Sequence, residues 1–272
     1  MYSLTNTALT ELTAGDVKKL RPLNILLAED NPMNIKLISI LFAQNGLKLQ
    51  VAENGAAAIK KIKANDFDIV LMDMEMPVLN GYEATKLIRK QLKNKIPIIA
   101  MTAHAMPGER EKCLQLGMND YIAKPIDAAL LFKSIYNLTH IRKSVSKKTG
   151  ITKFNTPAAV SDKVCNLEYL VGITRGNKKI INNIVAVFFK ETGKELIFLN
   201  DAIEKTNYKD ISDISHKIKS AFSILGISLL EPVFKEMEQL SSITSCIGNI
   251  ELLNHKVNII FNQAKAEMKT AY

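Results

Sequence analysis

Short apolar runs alternate with helical patterns over the first half of the chain. The runs are Ile25–Ala28, Ile69–Met72, Ile98–Met101 and Tyr121–Ala123. Runs of this length, separated by stretches with helical periodicity, predict buried parallel strands joined by helices. We therefore expect a doubly wound α/β sheet in this part of the chain.

Polar residues follow each of these runs directly. Glu29 and Asp30 follow the first run, Asp73 the second, Thr102 the third and Lys124 the fourth. The carboxyl ends of parallel strands meet at one edge of a sheet, and ligands of open α/β sheets bind at that edge. Three carboxylates, a hydroxyl and an ammonium group there predict a site for a divalent cation and a phosphoryl group.

Each of these residue types has a chemical reason to be at such a site. Carboxylates held close together repel one another, and Mg²⁺ removes that cost by binding them through oxygen, so Glu29, Asp30 and Asp73 are the predicted metal ligands. A carboxylate can also attack phosphorus to form an aspartyl phosphate when positive charge neutralises the phosphoryl oxygens, and Mg²⁺ and Lys124 would supply that charge. Thr102 would donate a hydrogen bond to a phosphoryl oxygen once the phosphoryl group is attached.

Four motifs in this region resemble the receiver domain of bacterial response regulators, over roughly residues 22–139. They are LLAEDNPMN (Leu26 to Asn34), LMDMEMPVLNGYEA (Leu71 to Ala84), IIAMTAHA (Ile98 to Ala105) and YIAKPI (Tyr121 to Ile126). The resemblance implies a flavodoxin-like, five-stranded parallel sheet. It also implies that Asp73 is the phospho-acceptor, that Glu29 and Asp30 hold the metal, and that the backbone carbonyl of Glu75 is a further ligand.

The resemblance extends to two further features of the predicted site. It implies that Tyr121 is an aromatic switch residue that reorients together with Thr102. It also implies a cis peptide bond between Lys124 and Pro125, at the only type of linkage where cis is inexpensive.

A second candidate site is His216, in the segment Asp210–Ile227. Apolar residues at helical spacing define the buried side of this predicted helix: Ile211, Ile214, Ile218, Ala221, Phe222 and Leu225. His216 is about 200° away from Ile214 on a helix of 3.6 residues per turn, so it is expected to face solvent. An exposed imidazole can accept a phosphoryl group on nitrogen, and Lys219, one turn further, would steady the charge.

The segment from about Val164 to the end resembles histidine-containing phosphotransfer domains. The pattern of that family is His, two residues, Lys, a small residue and then Leu-Gly, which are here His216, Lys219, Ser220 and Leu225-Gly226. Ser220 stands where the commonest form has Gly, which leaves slightly less space beside the histidine. The stretch Cys165–Phe189 is similar to the first helices of the family. The resemblance implies an all-α four-helix bundle with His216 as the phosphohistidine.

Length and composition fit this organisation. We expect an N-terminal tether (1–21), a receiver domain (22–140), a flexible basic linker (141–163) and a histidine phosphotransfer domain (164–272) within the 272 residues. The linker carries six basic residues and one acidic residue, and so contributes +5 to the net charge of +9. Because much of the positive charge lies in this linker, specific nucleic-acid binding is not expected.

The cysteines and the hydropathy pattern bear on the cellular compartment. The three cysteines, Cys113, Cys165 and Cys246, are far apart and show no spacing typical of a disulfide framework or a zinc site, which predicts a reducing compartment. No apolar run is long enough to span a bilayer, and the first twenty residues lack the pattern of a signal peptide. We therefore expect a cytoplasmic chain without a membrane segment.

The expected function is that of a two-component phosphorelay protein, with a sensor histidine kinase and a downstream response regulator as partners. The chain has nothing resembling the ATP-binding motifs of a histidine kinase or a P-loop, so we do not expect it to act as a kinase enzyme. This pair of modules is typical of the C-terminal part of hybrid sensor kinases.

Two alternatives belong to other classes. The first is an aspartate-nucleophile phosphatase, because Asp73-Met74-Glu75 loosely matches the Asp-x-Asp motif of that group. That group places its remaining carboxylates after the nucleophile, whereas Glu29 and Asp30 precede it. The second alternative is an adaptor whose receiver is never phosphorylated, and the complete set of site residues argues against it.

Overall fold

A five-stranded parallel sheet organises the first part of the chain in the computed structural model, which describes residues 13–102, 108–140, 164–244 and 246–271. The strands are β1 (Asn24–Ala28), β2 (Lys48–Ala52), β3 (Ile69–Asp73), β4 (Ile98–Thr102) and β5 (Asp120–Ala123). Their order in the sheet is β2-β1-β3-β4-β5, and every neighbouring pair is parallel. The predicted α/β sheet is confirmed.

Burial along the strands reflects their position in the sheet. Every residue of β3 and β4 is buried, whereas β2, at the edge, is buried at Ala52 alone. Central strands of a doubly wound sheet are covered on both faces, which explains the unbroken apolar runs in their sequences. The edge strand has the mixed sequence KLQVA because its other positions are only partly covered or exposed.

Six helices accompany the sheet. They are α1 (Ala14–Lys19), α2 (Pro32–Gln44), α3 (Gly55–Ala64), α4 (Gly81–Lys90), α5 (Glu109–Gln115) and α6 (Ala128–His140). Helices α2 to α5 connect successive strands, and α6 follows β5. Helix α1 begins at a capping box formed by Thr13 and Asp16, contacts α6, and is followed by the fully buried Leu20. The predicted N-terminal tether therefore includes a helix that packs on the sheet domain.

The second part of the chain is helical. It contains α7 (Glu168–Thr174), α8 (Lys178–Glu204), α9 (Tyr208–Ile224), α10 (Glu231–Ser242) and α11 (Ile247–Ala271). Helix α8 contacts α9 and α11, and α10 also contacts α9 and α11. Four phenylalanines, one from each of these helices, form the centre of the core, with ring centroids 5.3 to 6.2 Å apart: Phe188, Phe222, Phe234 and Phe261.

The sheet and the C-terminal helices are the centres of two compact units. The segment predicted as a flexible basic linker, 141–163, and most of the predicted N-terminal tether lie outside the described residues. Within the part of the chain that the structure describes, no helix combines the length and the apolar character needed to cross a bilayer.

Candidate functional site

The predicted acidic residues lie together at the carboxyl edge of the sheet. Glu29, Asp30 and Asp73 each offer a carboxylate oxygen, and these oxygens lie within 4.8 Å of one another. Strands β1 and β3 are neighbours in the sheet, which explains why residues at their ends are close although some 40 positions separate them in sequence. A set of hard oxygen donors at this spacing fits a divalent cation such as Mg²⁺.

Lys124 is paired with Asp73 across the sheet edge. Its ammonium Nζ lies 2.8 Å from Asp73 Oδ2, and the two side chains are only 8% and 7% exposed. The ammonium is directed to this position because the residue follows β5 directly and its backbone N–H donates to Thr102 O at 2.7 Å. The peptide bond between Lys124 and Pro125 is cis, as the resemblance implies.

Thr102 is the last residue of β4 and is almost completely buried. Thr102 is in register with Ala123 on β5, the residue before Lys124. Asp73 on β3 is in register with Met101, the residue before Thr102. Asp73, Thr102 and Lys124 thus end or directly follow three adjacent strands. The structure brings together all five residues that the sequence places at this edge.

Two further predicted residues are Glu75, just after β3, and Tyr121, on β5. The backbone N–H of Glu75 donates to Asp73 Oδ1 at 3.4 Å, so the chain turns back over the carboxylate directly after β3. Tyr121 is half-buried on β5, and its pKa is raised above the ordinary value by burial and by the nearby Cys113 and Glu109. The role of the Glu75 carbonyl as a ligand and that of Tyr121 as a switch remain predictions.

Asn34 is a residue of this site that the sequence analysis missed. Its side-chain amide Nδ2 donates to Glu29 Oε1 at 2.9 Å, and the backbone N–H of Asn31 donates to the same oxygen at 3.3 Å. The signal that would have indicated it is an asparagine in the first turn of the helix that follows the acidic pair.

His216 lies in α9, and the sequence analysis predicts that it faces away from the buried side of this helix, towards solvent. The side chain is instead partly buried, at 18% exposure, and Nδ1 lies 3.3 Å from Glu238 Oε1 on α10. Ser220, expected to be a small residue beside an open surface, is buried as well. Five of the six residues predicted to be buried are buried, and Ile214 is only partly covered. Ser215 and Ile224 are buried in addition.

Glu238 connects the two predicted residues of this second site. Its carboxylate also accepts two hydrogen bonds from Lys219 Nζ, at 2.7 and 2.9 Å. Burial tends to raise the pKa of Glu238, but the hydrogen bonds from His216 and Lys219 outweigh it and lower the pKa below its ordinary value. Sequence reasoning missed Glu238 because 19 residues separate it from Lys219, and only the pairing of α9 with α10 brings the two together.

The first part of the chain is similar to known proteins. The family model described as response regulator receiver domain matches residues 25–136. The chain is 42% identical over 142 residues to hybrid signal transduction histidine kinase I of Dictyostelium discoideum, which covers 49% of this chain and 8% of that protein.

Two other relatives cover different portions. The signal transduction histidine-protein kinase BarA of Escherichia coli is 28% identical over 238 residues, which are 85% of this chain and 25% of BarA. The crystal structure of a receiver domain from a Pseudomonas aeruginosa sensor histidine kinase, with a magnesium ion coordinated in its active-site cleft, is 41% identical and covers 43% of this chain and 96% of that domain, with a TM-score of 0.39. The chain spans a quarter or less of the length of each of these two kinases.

Proposed function

Residues 25–136 belong to the response regulator receiver family, and on that premise we propose that the chain is a two-component phosphorelay protein that carries a phosphoryl group on Asp73 and on His216. The observation that carries the first half is the buried pair of Asp73 and Lys124 beside the carboxylates of Glu29 and Asp30. This arrangement combines a nucleophilic carboxylate, a positive charge and a set of metal ligands at one point.

In the receiver, the Asp73 carboxylate attacks the phosphorus of an upstream phosphohistidine. An O–P bond forms, the P–N bond breaks, and the leaving imidazole keeps the electron pair and takes a proton from solvent. Lys124, 2.8 Å from Asp73, neutralises charge on the phosphoryl oxygens. Mg²⁺, held by Glu29, Asp30, Asp73 and the backbone carbonyl of Glu75, would supply further positive charge when bound.

The hydroxyl of Thr102 and the ring of Tyr121 complete the proposed receiver site. Thr102 is at the end of the strand next to Asp73, and its hydroxyl would donate to the new phosphoryl group. Tyr121 would then reorient into the space beside β4. This reorientation would change the surface of the receiver that a partner protein recognises.

The receiver half is tested with acetyl phosphate and Mg²⁺, followed by intact-mass analysis. We expect a gain of one phosphoryl group that is lost at alkaline pH and is absent from the Asp73→Asn variant. An unreactive adaptor would gain no mass. Continuous turnover of p-nitrophenyl phosphate would instead support the phosphatase alternative.

The C-terminal part is proposed to be a histidine phosphotransfer domain with a four-helix bundle formed by α8 to α11. The contacts of α8 and α10 with both α9 and α11 support the bundle. The contact of His216 Nδ1 with Glu238 supports the role of the histidine, because it favours the tautomer with the proton on Nδ1 and the lone pair on Nε2. Nε2 would then attack the phosphorus of an aspartyl phosphate, with Lys219 beside it. A P–N bond would form, the O–P bond would break, and the aspartate would leave as a free carboxylate that keeps the electron pair.

The partners follow from this chemistry. We propose a sensor histidine kinase as the source of the phosphoryl group and the receiver of a downstream response regulator as its destination. In this scheme the chain receives its phosphoryl group from phosphohistidine and not from ATP. It would act in the cytoplasm, either as the C-terminal portion of a hybrid kinase or as a separate intermediate.

The histidine half is tested by the chemical stability of the label. After phosphorylation of the receiver, we expect a second, acid-labile and base-stable fraction of label that is absent from the His216→Gln variant. A label that is entirely base-labile in the wild-type chain would overturn this half of the proposal and leave the receiver half intact.

A further inference from the structure

A buried side-chain amide anchors one of the predicted metal ligands. Asn34, in the first turn of α2, donates from Nδ2 to Glu29 Oε1 at 2.9 Å. Both side chains are buried, Glu29 completely. A hydrogen bond from a neutral donor to a buried carboxylate is stronger than one between neutral groups, and it fixes the orientation of the carboxylate plane.

The donor is itself held in place by the start of the helix. Asn31 accepts the backbone N–H of Met33 on its side-chain oxygen at 2.9 Å, and its backbone carbonyl accepts from Ile35 at 3.0 Å. These two hydrogen bonds fix the backbone of the first turn of α2, and therefore the position of Asn34. The amide therefore approaches Glu29 from a rigid element.

Glu29 needs hydrogen bonds that fix its carboxylate because its side chain is longer than those of the two aspartates. Glu29 has one more rotatable bond than Asp30 and Asp73, so its carboxylate would sample more positions if nothing held it. The bonds from Asn31 and Asn34 both end on Oε1. These two hydrogen bonds hold the Glu29 carboxylate in a position where one of its oxygens lies within 4.8 Å of a carboxylate oxygen of Asp30 and of Asp73.

We propose that Asn34 is a positioning residue for the metal site, which acts through Glu29 and makes the site selective for Mg²⁺ over Ca²⁺. This inference rests on the proposed receiver function. Mg²⁺ demands nearly ideal octahedral geometry at short distances, whereas Ca²⁺ accepts flexible arrangements with longer bonds. If the Glu29 carboxylate loses the hydrogen bond from Asn34, the affinity of the site for Ca²⁺ changes little, whereas its affinity for Mg²⁺ falls.

The test is isothermal titration of the full chain with Mg²⁺ alone and with Ca²⁺ alone. The Asn34→Ala variant is expected to raise the Kd for Mg²⁺ about ten-fold, as loss of a partner of a metal ligand commonly does, and to raise the Kd for Ca²⁺ much less. Asn94→Ala is the matched control. It also removes one side-chain hydrogen bond, which Asn94 Oδ1 accepts from the backbone N–H of Ile96, but it lies before β4, at the amino ends of the strands. It is expected to leave both Kd values unchanged.

A double-mutant comparison tests whether Asn34 acts through Glu29. In the Glu29→Ala background, which removes the oxygen that Asn34 holds, the further change Asn34→Ala is expected to have no effect on Mn²⁺ binding, measured by the loss of the electron paramagnetic resonance signal of the aqueous ion. An equal weakening in both backgrounds would overturn the proposal. If Asn34→Ala does not fold, as judged by its thermal melting curve, Asn34→Ser replaces it and is expected to show the same effects.

The outcomes separate this inference from the function on which it rests. Mg²⁺ binding by the wild-type chain that Asn34→Ala leaves unchanged would overturn the positioning role alone. Failure of the wild-type chain to bind Mg²⁺ at millimolar concentration would overturn the proposed receiver chemistry together with the inference.

Discussion

Asp73 and Lys124 form a buried ion pair that is surrounded by further negative charge. Breaking a buried pair by removing one partner leaves the other charge without compensation, which is more costly than losing a surface pair. Here the loss of the lysine would leave Asp73 beside the carboxylates of Glu29 and Asp30. The arrangement ties stability to the same residues that carry the proposed chemistry.

The variant Lys124→Gln is therefore expected to lower the free energy of unfolding by about 3 kcal/mol. Mg²⁺ should restore part of this loss, because the cation neutralises the same carboxylates. Urea denaturation with and without Mg²⁺ measures both effects. Lys194→Gln, which removes an exposed ion pair with Glu191, is the control and should change stability by less than about 1 kcal/mol. A loss in the Lys124 variant as small as that of the control would contradict the account.

Glu238 links stability to pH in the second site. Its pKa in the folded chain lies below the ordinary value of 4.5, so its contribution is complete above about pH 4.5 and is lost as pH falls through the folded-state pKa. The variant Glu238→Gln should lower stability by about 1–2 kcal/mol at neutral pH, because charged hydrogen bonds to His216 and Lys219 are weakened.

The difference in stability between the wild-type chain and this variant should shrink as pH falls below 4.5. Denaturation curves over a series of pH values check the trend. Glu236→Gln, at an exposed position of the same helix, serves as the control. A difference that stays constant down to acidic pH would show that the carboxylate makes no such contribution.

At this scale, sequence reasoning succeeded where a residue directly follows an apolar strand. Asp73 and Lys124 could be placed together because parallel strands align their carboxyl ends. The contributions of Asn34 and Glu238 could not be predicted in the same way. The hydrogen bond of Asn34 to Glu29 depends on a side-chain rotamer in the first turn of α2. The contacts of Glu238 depend on the packing of α10 against α9.

The loop between β3 and α4 is an element with local strain. Val78 has a positive φ of 69°, and the backbone N–H of Leu79 donates to Pro77 O at 2.8 Å across it. A positive φ is unusual for a β-branched residue and costs of order 1–3 kcal/mol. The tight turn leaves the Val78 side chain 84% exposed, five residues after Asp73. We infer that this exposed apolar side chain is available to a large phosphoryl donor that docks beside Asp73.

The variant Val78→Gly is expected to raise stability by about 1 kcal/mol, because glycine adopts a positive φ without strain. Phosphorylation by acetyl phosphate should be unchanged, since this small donor needs no docking surface. Transfer from a phosphorylated partner domain should be slower. Rates measured with the two donors, together with thermal melting, check these three effects.

Lys93→Gly provides the control for the loop variant. Lys93 is also exposed and has a positive φ of 49°, but it lies before β4, at the other edge of the sheet. This variant should relieve strain without changing either rate. Equal slowing of both donors by Val78→Gly would contradict the docking role.

Among the elements, strands with an apolar run in their sequence were predictable, and strand β2 and helix α1, which lack one, were not. Strands β1, β3 and β4 have unbroken apolar runs, whereas β2 has the mixed sequence KLQVA and was implied only by the family resemblance. Helix α1 was missed within the predicted tether, because six residues carry little periodicity and its packing against α6 is a tertiary effect.

On the scale of the whole molecule, we propose that two units handle the same phosphoryl group by different chemistry. The sheet unit would hold it as an acyl phosphate on Asp73, and the helical unit as a phosphoramidate on His216. The sequence predicts a flexible basic linker over residues 141–163 between them. A flexible chain of this length has a reach of about 25–30 Å, which permits exchange within one chain.

Exchange between the two proposed sites can be observed directly with complementary variants. The His216→Gln chain is labelled on Asp73 with radioactive acetyl phosphate and Mg²⁺, freed of donor, and mixed with an unlabelled Asp73→Asn chain that carries a size tag. We expect label to appear on the tagged chain in an acid-labile, base-stable form. Label that is released only as inorganic phosphate, with none on the tagged chain, would contradict it.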